Sequence, residues 1–394
     1  MVKPKSFMLI AGEASGDLLA AELVAALKNS PELKASPSPP EFFGAGGPKL
    51  AAAGVELAFD LTQHSVIGLW EALKNYFKFK RFFDQLLRLA CERRPDVIIC
   101  VDFSGFNRRF AAAVRARVRS RRGGDWNPRI IQYVSPQVWA SRPGRAKQMA
   151  RDYDLLLVIF PFEKVWYAEH APGLRVEFVG HPICERFEVQ SPKFKVQGAT
   201  PTILLLPGSR VGELKRHLPV MFAAAEMMLR ASREVSFRMI LPNEALRDLV
   251  TIPGVLAPIL RVEVGGLAAA LTDADVAVAS TGTVTLECAY FGVPTVAIYK
   301  TSWSTYQIGK RIIQVKYLAM PNLLADEEVF PEFIQSAATG ENISRTALDF
   351  LNNPARRGVV STKLARVIDS LGGTGAGARA AAAVLSLGQA KSPH

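Results

Sequence analysis

The sequence predicts an α/β protein built from two doubly wound, mostly parallel sheets. Apolar runs of four to six residues recur through the chain, and each is followed by a turn and an amphipathic segment. One Pro/Gly-rich stretch, residues 180–201, interrupts the pattern. Short apolar runs joined by helical crossovers indicate parallel strands buried on both faces. The first half has such runs at 6–11, 97–101, 130–134, 155–159 and 176–179, and the second at 202–206, 237–241, 276–279 and 295–298. At roughly 100–200 residues per domain, a chain of 394 residues accommodates two such domains. Residues 1–184 form the first and 200–343 the second. Residues 344–394 read as helices and a Gly/Ala-rich tail that can pack on the first domain or be exchanged in a dimer.

Composition excludes several classes. With 49% hydrophobic and 21% charged residues the chain is globular rather than disordered. No apolar run reaches the roughly 18 residues of a membrane span. The N-terminal apolar stretch is short and runs into a glycine turn, as a buried first strand does and a signal peptide does not. Cys91, Cys100, Cys184 and Cys288 form no C-x-x-C pair and share no metal-ligand spacing with the histidines, so no metal is expected and the thiols read as free in a reducing compartment. The net charge of +12 attracts polyanions: nucleic acid, an anionic membrane or phosphorylated substrates.

In open α/β sheets ligands bind beyond the C-terminal strand ends, so the loops there are the candidate sites. Gly208, Ser209 and Arg210 follow the run 202–206. Backbone N–H groups, a helix N-terminus and a guanidinium could hold a diphosphate there, or the loop is an ordinary turn with a surface arginine. Ser280, Thr281, Gly282 and Thr283 follow 276–279, with Glu287 one turn on. They suit a nucleotide, with Glu287 accepting from two ribose hydroxyls, or equally a Ser/Thr cap followed by a helix-stabilising acid. The turn Gly292-Val293-Pro294 and the next strand favour the nucleotide. Gly12, Glu13, Ser15 and Gly16 follow the first strand without G-x-G-x-x-G spacing, so a dinucleotide fingerprint is not supported; there is no P-loop either. Asp102 follows 97–101 and reads as a general base or as a helix cap.

Residues 69–90 carry a wide apolar arc with Leu69, Trp70, Leu73 and Phe77, and with Lys78 and Arg81 beside it. Part of this face belongs to the core; the remainder suits an anionic membrane surface or an acyl chain. Seven arginines lie between 108 and 122, but no recognition helix or stacking motif accompanies them, so nucleic acid is not the expected partner.

An ordered set of short segments then resembles one family. Ala11-Gly12-Glu13-Ala14-Ser15-Gly16-Asp17, Gly44-Ala45-Gly46-Gly47-Pro48, Ser135-Pro136-Gln137-Val138-Trp139-Ala140, Phe160-Pro161-Phe162-Glu163, Val179-Gly180-His181-Pro182, Leu206-Pro207-Gly208-Ser209-Arg210 and Met320-Pro321-Asn322-Leu323 look like lipid-A-disaccharide synthase. The resemblance implies a GT-B fold, two facing Rossmann-like domains with the active site in the cleft between them. It implies inverting, metal-independent transfer from UDP-2,3-diacylglucosamine to 2,3-diacylglucosamine 1-phosphate (lipid X), with no cofactor. It also implies a peripheral protein on anionic lipids at the cytoplasmic face of a Gram-negative inner membrane, and a homodimer. By position, Asp102 matches the essential aspartate and Asn107 the asparagine of that loop. Arg210 and Asn322 match positions needed for activity, and residues 69–90 match the insertion that takes up acyl chains. One departure stands out: Val101-Asp102-Phe103-Ser104-Gly105-Phe106-Asn107 replaces a pattern with two aspartates, and Asp102 aligns with either. Another UDP-GlcNAc enzyme of the same fold, an epimerase or a peptidoglycan transferase, and a non-catalytic basic scaffold are the alternatives.

Overall fold

A computed structural model describes residues 4–64, 76–120, 124–187, 200–232 and 234–387. The chain divides into two compact units, residues 1–185 with 371–394, and residues 186–370. The first holds a seven-stranded sheet. Its strands are β1 (Ser6–Ala11), β2 (Glu41–Gly46), β3 (Glu56–Asp60), β4 (Val97–Val101), β5 (Arg129–Tyr133), β6 (Leu155–Val158) and β7 (Arg175–Phe178), in the order β3-β2-β1-β4-β5-β6-β7. The second holds six: β8 (Thr202–Leu206), β9 (Ser236–Leu241), β10 (Leu260–Val264), β11 (Val276–Ser280), β12 (Thr295–Tyr299) and β13 (Glu332–Ile334), in the order β10-β9-β8-β11-β12-β13. All the pairings are parallel.

Both sheets reverse their winding at one place, β1 beside β4 in the first and β8 beside β11 in the second. Ala11 pairs with Val101 there, and Leu206 with Ala279. A crevice opens where successive crossovers leave in opposite directions, so the loops after these four strands form each unit's natural binding edge. The central strands bury nearly every side chain, which is why they read as continuous apolar runs.

The C-terminal segment divides differently from the expected block 344–394. Helices Gly340–Asn352 and Pro354–Ser370 belong to the second unit, where Ile343, Ala347, Phe350, Val360 and Leu364 join its core. The chain returns to the first unit at Leu371. There the Leu371 carbonyl accepts from His181 N at 2.9 Å, and Arg379 Nε donates to the Val179 carbonyl at 2.8 Å. Helix Ala376–Ser386 packs its small buried residues, Ala380 and Ala381, on the first unit. The segment Val179-Gly180-His181-Pro182 is thus the anchor for this return.

Helix Tyr76–Arg93 is amphipathic, and its described aromatics turn inward. Phe82 stacks on Phe59 at 4.5 Å, and Phe83 meets the edges of Phe106 and Phe110. Leu86 and Ala90 are fully buried, while Lys80 and Arg81 are exposed. Phe82 and Phe83 thus belong to the part of the apolar arc that the core takes up. Leu69, Trp70 and Leu73 lie outside the described residues, and for Phe77 and Lys78 only the helical backbone is described.

Candidate functional site

In the second unit, eight residues singled out in the sequence line one cavity of about 520 Å³: Gly208, Ser209, Arg210, Ser280, Thr281, Gly282, Thr283 and Glu287. The two loops come from strands that are neighbours in space but some seventy positions apart in sequence, and only the β8–β11 pairing joins them. Helix Val211–Ala231 starts at Arg210 and helix Thr283–Tyr290 at Gly282, so two sets of free N–H groups adjoin the cavity. Burial pushes the Glu287 carboxyl up, and the Arg186 charge partly opposes it.

Three residues that build this edge escape a sequence reading. Glu213 accepts from Ser209 N at 2.9 Å and from Arg210 Nη1 at 3.4 Å, holding the Gly208 loop in place. Its signal was present, a Glu three residues after the helix cap. His217 is fully buried and joins two loops: its Nδ1 lies 2.7 Å from the Pro207 carbonyl, and its Nε2 accepts from Lys300 N at 3.0 Å. That pattern requires the neutral ring protonated on Nδ1, and burial lowers its proton affinity accordingly. Thr285 donates to the Gly282 carbonyl at 2.6 Å and accepts from Met320 N at 3.2 Å, which ties the nucleotide-type loop to the Met320-Pro321-Asn322 segment.

Asn322 departs from its expected catalytic place. It is fully buried and does not line the cavity. Its Nδ2 donates to the Phe330 carbonyl at 2.7 Å and Glu332 Oε1 at 2.8 Å; its Oδ1 accepts from Val329 N at 2.9 Å and Phe330 N at 2.7 Å. All the bonds a primary amide makes are used within the protein. Glu332 in turn accepts from Leu318 N and Ala319 N, so Asn322 braces the segment that supports the Gly282 loop.

In the first unit Asp102 stands at the end of β4. Asp102 and Phe103 both adopt left-handed backbone, φ 48° and 42°, at a cost of about 1–3 kcal/mol each. Three bonds hold this bend: Asp102 N donates to the Tyr133 carbonyl at 2.9 Å, and the Asp102 carbonyl accepts from Asn107 Nδ2 at 2.8 Å and Gln132 Nε2 at 3.1 Å. Asn107 is fully buried and acts on the backbone of Asp102 rather than at the surface expected of an acceptor contact. Burial pushes the Asp102 carboxyl up, while the Phe103 N–H and the Ser15 hydroxyl pull it down. Gly12 is required because a Cβ there would lie 2.3 Å from the Phe103 ring, and Gly16 approaches Asp102 Cβ. Glu13 is the exposed cap residue of helix Ala14–Asn29.

The remaining motifs explain one another. Asp17 is buried and accepts from Gly47 N at 2.7 Å, Lys49 N at 2.9 Å and Leu50 N at 3.2 Å, joining the Gly12–Asp17 and Gly44–Pro48 segments. Glu163 is buried and accepts from Trp139 Nε1 at 2.9 Å and Phe160 N at 3.2 Å, which joins Ser135–Ala140 to Phe160–Glu163. Burial raises its carboxyl to about 7 against those donors.

Two parallel, doubly wound units, one carrying a cavity at its switch point, define a protein of the GT-B fold. The solved structures agree on fold. A UDP-GlcNAc 2-epimerase from Neisseria meningitidis bound to UDP-GlcNAc superposes with TM-score 0.59 at 11% identity, covering 98% of this chain and 100% of that one. The glycotransferase of kitacinnamycin superposes with TM-score 0.60 at 18% identity, covering 97% and 99%. The profile of the lipid-A-disaccharide synthetase family matches residues 7–383, and the chain belongs to that family. It is 37% identical over 393 residues to the lipid-A-disaccharide synthase of Geobacter metallireducens, covering 97% of each. It is 36% identical over 399 residues to that of Myxococcus xanthus, covering 98% of each. The chain is accordingly a glycosyltransferase of lipid A disaccharide synthesis; the epimerase, peptidoglycan-transferase and scaffold readings are not favoured.

Proposed function

We propose that the chain transfers 2,3-diacylglucosamine from UDP to the 6-hydroxyl of 2,3-diacylglucosamine 1-phosphate (lipid X), with inversion and without a metal, giving the β-1,6 disaccharide 1-phosphate and UDP. The observation that carries this is the convergence of the Gly208–Arg210 and Ser280–Glu287 loops on one cavity. UDP is already a good leaving group, so the protein must deprotonate a hydroxyl, stabilise positive charge on the sugar and neutralise the diphosphate. Asp102 takes the proton. The helix starts at Arg210 and Gly282 and the Arg210 guanidinium receive the diphosphate. Glu287 accepts from the ribose hydroxyls.

Arg210 is the test of the donor site. Its side chain is 83% exposed and held only at 3.4 Å by Glu213, so it is free to turn to a ligand at little cost. Arg210→Ala should weaken UDP binding roughly 10- to 100-fold, the worth of a charge-assisted contact. Calorimetry that found UDP affinity unchanged would remove Arg210 from the donor site.

Glu287 makes a second prediction. Ribose hydroxyls donate to the ionised carboxylate, and burial holds this carboxyl above the ordinary glutamate range. Affinity should be full above that raised value and fall as pH drops through it. Uridine is the suitable probe because it has no phosphate to titrate. Glu287→Gln should bind uridine more weakly and lose the pH dependence; a pH-dependent Gln variant would refute the assignment.

Peripheral attachment to the anionic cytoplasmic face of an inner membrane belongs to the same reading. No helix among the described residues is long and apolar enough to cross a membrane. Exposed Lys80 and Arg81 on helix Tyr76–Arg93 support attachment, as does helix Trp303–Ile312, where Trp303 and Ile308 are exposed beside Lys310 and Arg311. A homodimer that exchanges the segment from Leu371 onward would make the Arg379 contacts between copies.

A further inference from the structure

Four arginines lie on the segments that follow β4 and β5, the neighbouring strands at the Asp102 end of the sheet. Helix Ser104–Arg119 starts at Phe103 with no side-chain cap and no acid in its first turn, and Arg108 and Arg109 follow in its second. Arg142 and Arg145 flank Pro143-Gly144, and Arg145 is itself the cap residue of helix Ala146–Asp152. Helix Ser104–Arg119 packs against helix Ala146–Asp152. Burial and the charges of Arg108, Arg142 and Arg109 lower the proton affinity of Arg145. Some arginines of the unit are paired, as Arg115 is with Asp154 and Arg93 with Glu41 and Glu56. Among the described residues no carboxylate forms an ion pair with any of these four.

A folded chain that gathers four like charges, two of them a few residues from its candidate base, bears a repulsion that a bound anion would offset. We infer that Arg108, Arg109, Arg142 and Arg145 form the subsite for the phosphomonoester of the acceptor, carried on the same sugar whose hydroxyl Asp102 deprotonates. The inference rests on the proposed reaction. A dianion accepts several guanidinium forks at once. The subsite thereby selects an acceptor phosphorylated at one end of the sugar and orients its other end.

The test compares lipid X with its dephosphorylated counterpart in the unaltered enzyme and in the Arg108→Ala/Arg145→Ala variant. Discrimination, the ratio of kcat/KM for the two acceptors, should fall roughly 10- to 100-fold in the variant, mainly through KM for lipid X. Arg108→Lys/Arg145→Lys should recover part of it. An unchanged ratio would overturn the inference. So would loss of sedimentation with phosphatidylglycerol vesicles at an unchanged ratio, which would assign the arginines to lipid headgroups. Glucosamine 1-phosphate binding, followed by NMR, needs no turnover. Binding weakened in the alanine variant supports the subsite, and equal binding overturns it. Failure of the underlying reaction looks different: no UDP release by the unaltered enzyme with either acceptor.

Discussion

Asp102→Asn is expected to cut turnover roughly 10²- to 10⁴-fold, the usual contribution of a general base, while UDP affinity stays within about twofold. The affinity should survive because the cavity proposed for UDP is lined entirely by residues of the second unit. The fold should survive because the Asp102 bend is held through its backbone N–H and carbonyl, which asparagine retains. The pH profile adds a check. Burial raises the Asp102 carboxyl, so the acid limb of kcat/KM should lie above the ordinary aspartate range, with activity present above it and lost as pH falls through it. The Ser15 hydroxyl stabilises the ionised form, so Ser15→Ala should move that limb to higher pH. Near-normal turnover in Asp102→Asn would take Asp102 out of the mechanism.

Asn322→Ala should cost about 3–5 kcal/mol of stability in the second unit, among the largest effects of any single side chain outside the hydrophobic core. It strands the N–H groups of Val329 and Phe330 and the Phe330 carbonyl in the interior and removes one donor from the partly buried Glu332. Denaturant unfolding measures this directly. UDP affinity should fall with it, because Met320 N reaches the Gly282 loop through Thr285. A variant that unfolds like the unaltered protein yet loses turnover would place Asn322 on the substrate instead.

The strands legible in the sequence are those buried on both faces. β1, β4, β8 and β11 are continuous apolar runs because helices cover them. The edge strands β3, β10 and β13 were not legible. β3 and β10 alternate with charged residues, and β13 has three residues, because one side of each meets water. β2 is buried but reads as a glycine loop. Gly44 is needed there because a Cβ would lie 1.9 Å from the Leu9 carbonyl oxygen, a constraint set by the neighbouring strand.

The candidate site divides the same way. Gly208–Arg210 and Ser280–Glu287 announce themselves because a phosphate loop needs small residues and hydroxyls next to a strand end, a local requirement. Asn322 and Asn107 bear the same side chain a substrate contact would use, and burial alone turns both into braces. Glu213, His217, Asp17 and Glu163 act across 4 to 83 positions, as the Ser209, Lys300, Gly47 and Trp139 contacts show. The sequence by itself determined the two-sheet architecture, the family and the loops that line the second unit's cavity, because periodicity and turn chemistry are local. Tertiary structure alone decided which polar residues face a ligand and which hold the backbone, and where the C-terminal helices attach. Those outcomes depend on which groups lose water on folding, and no local pattern records that.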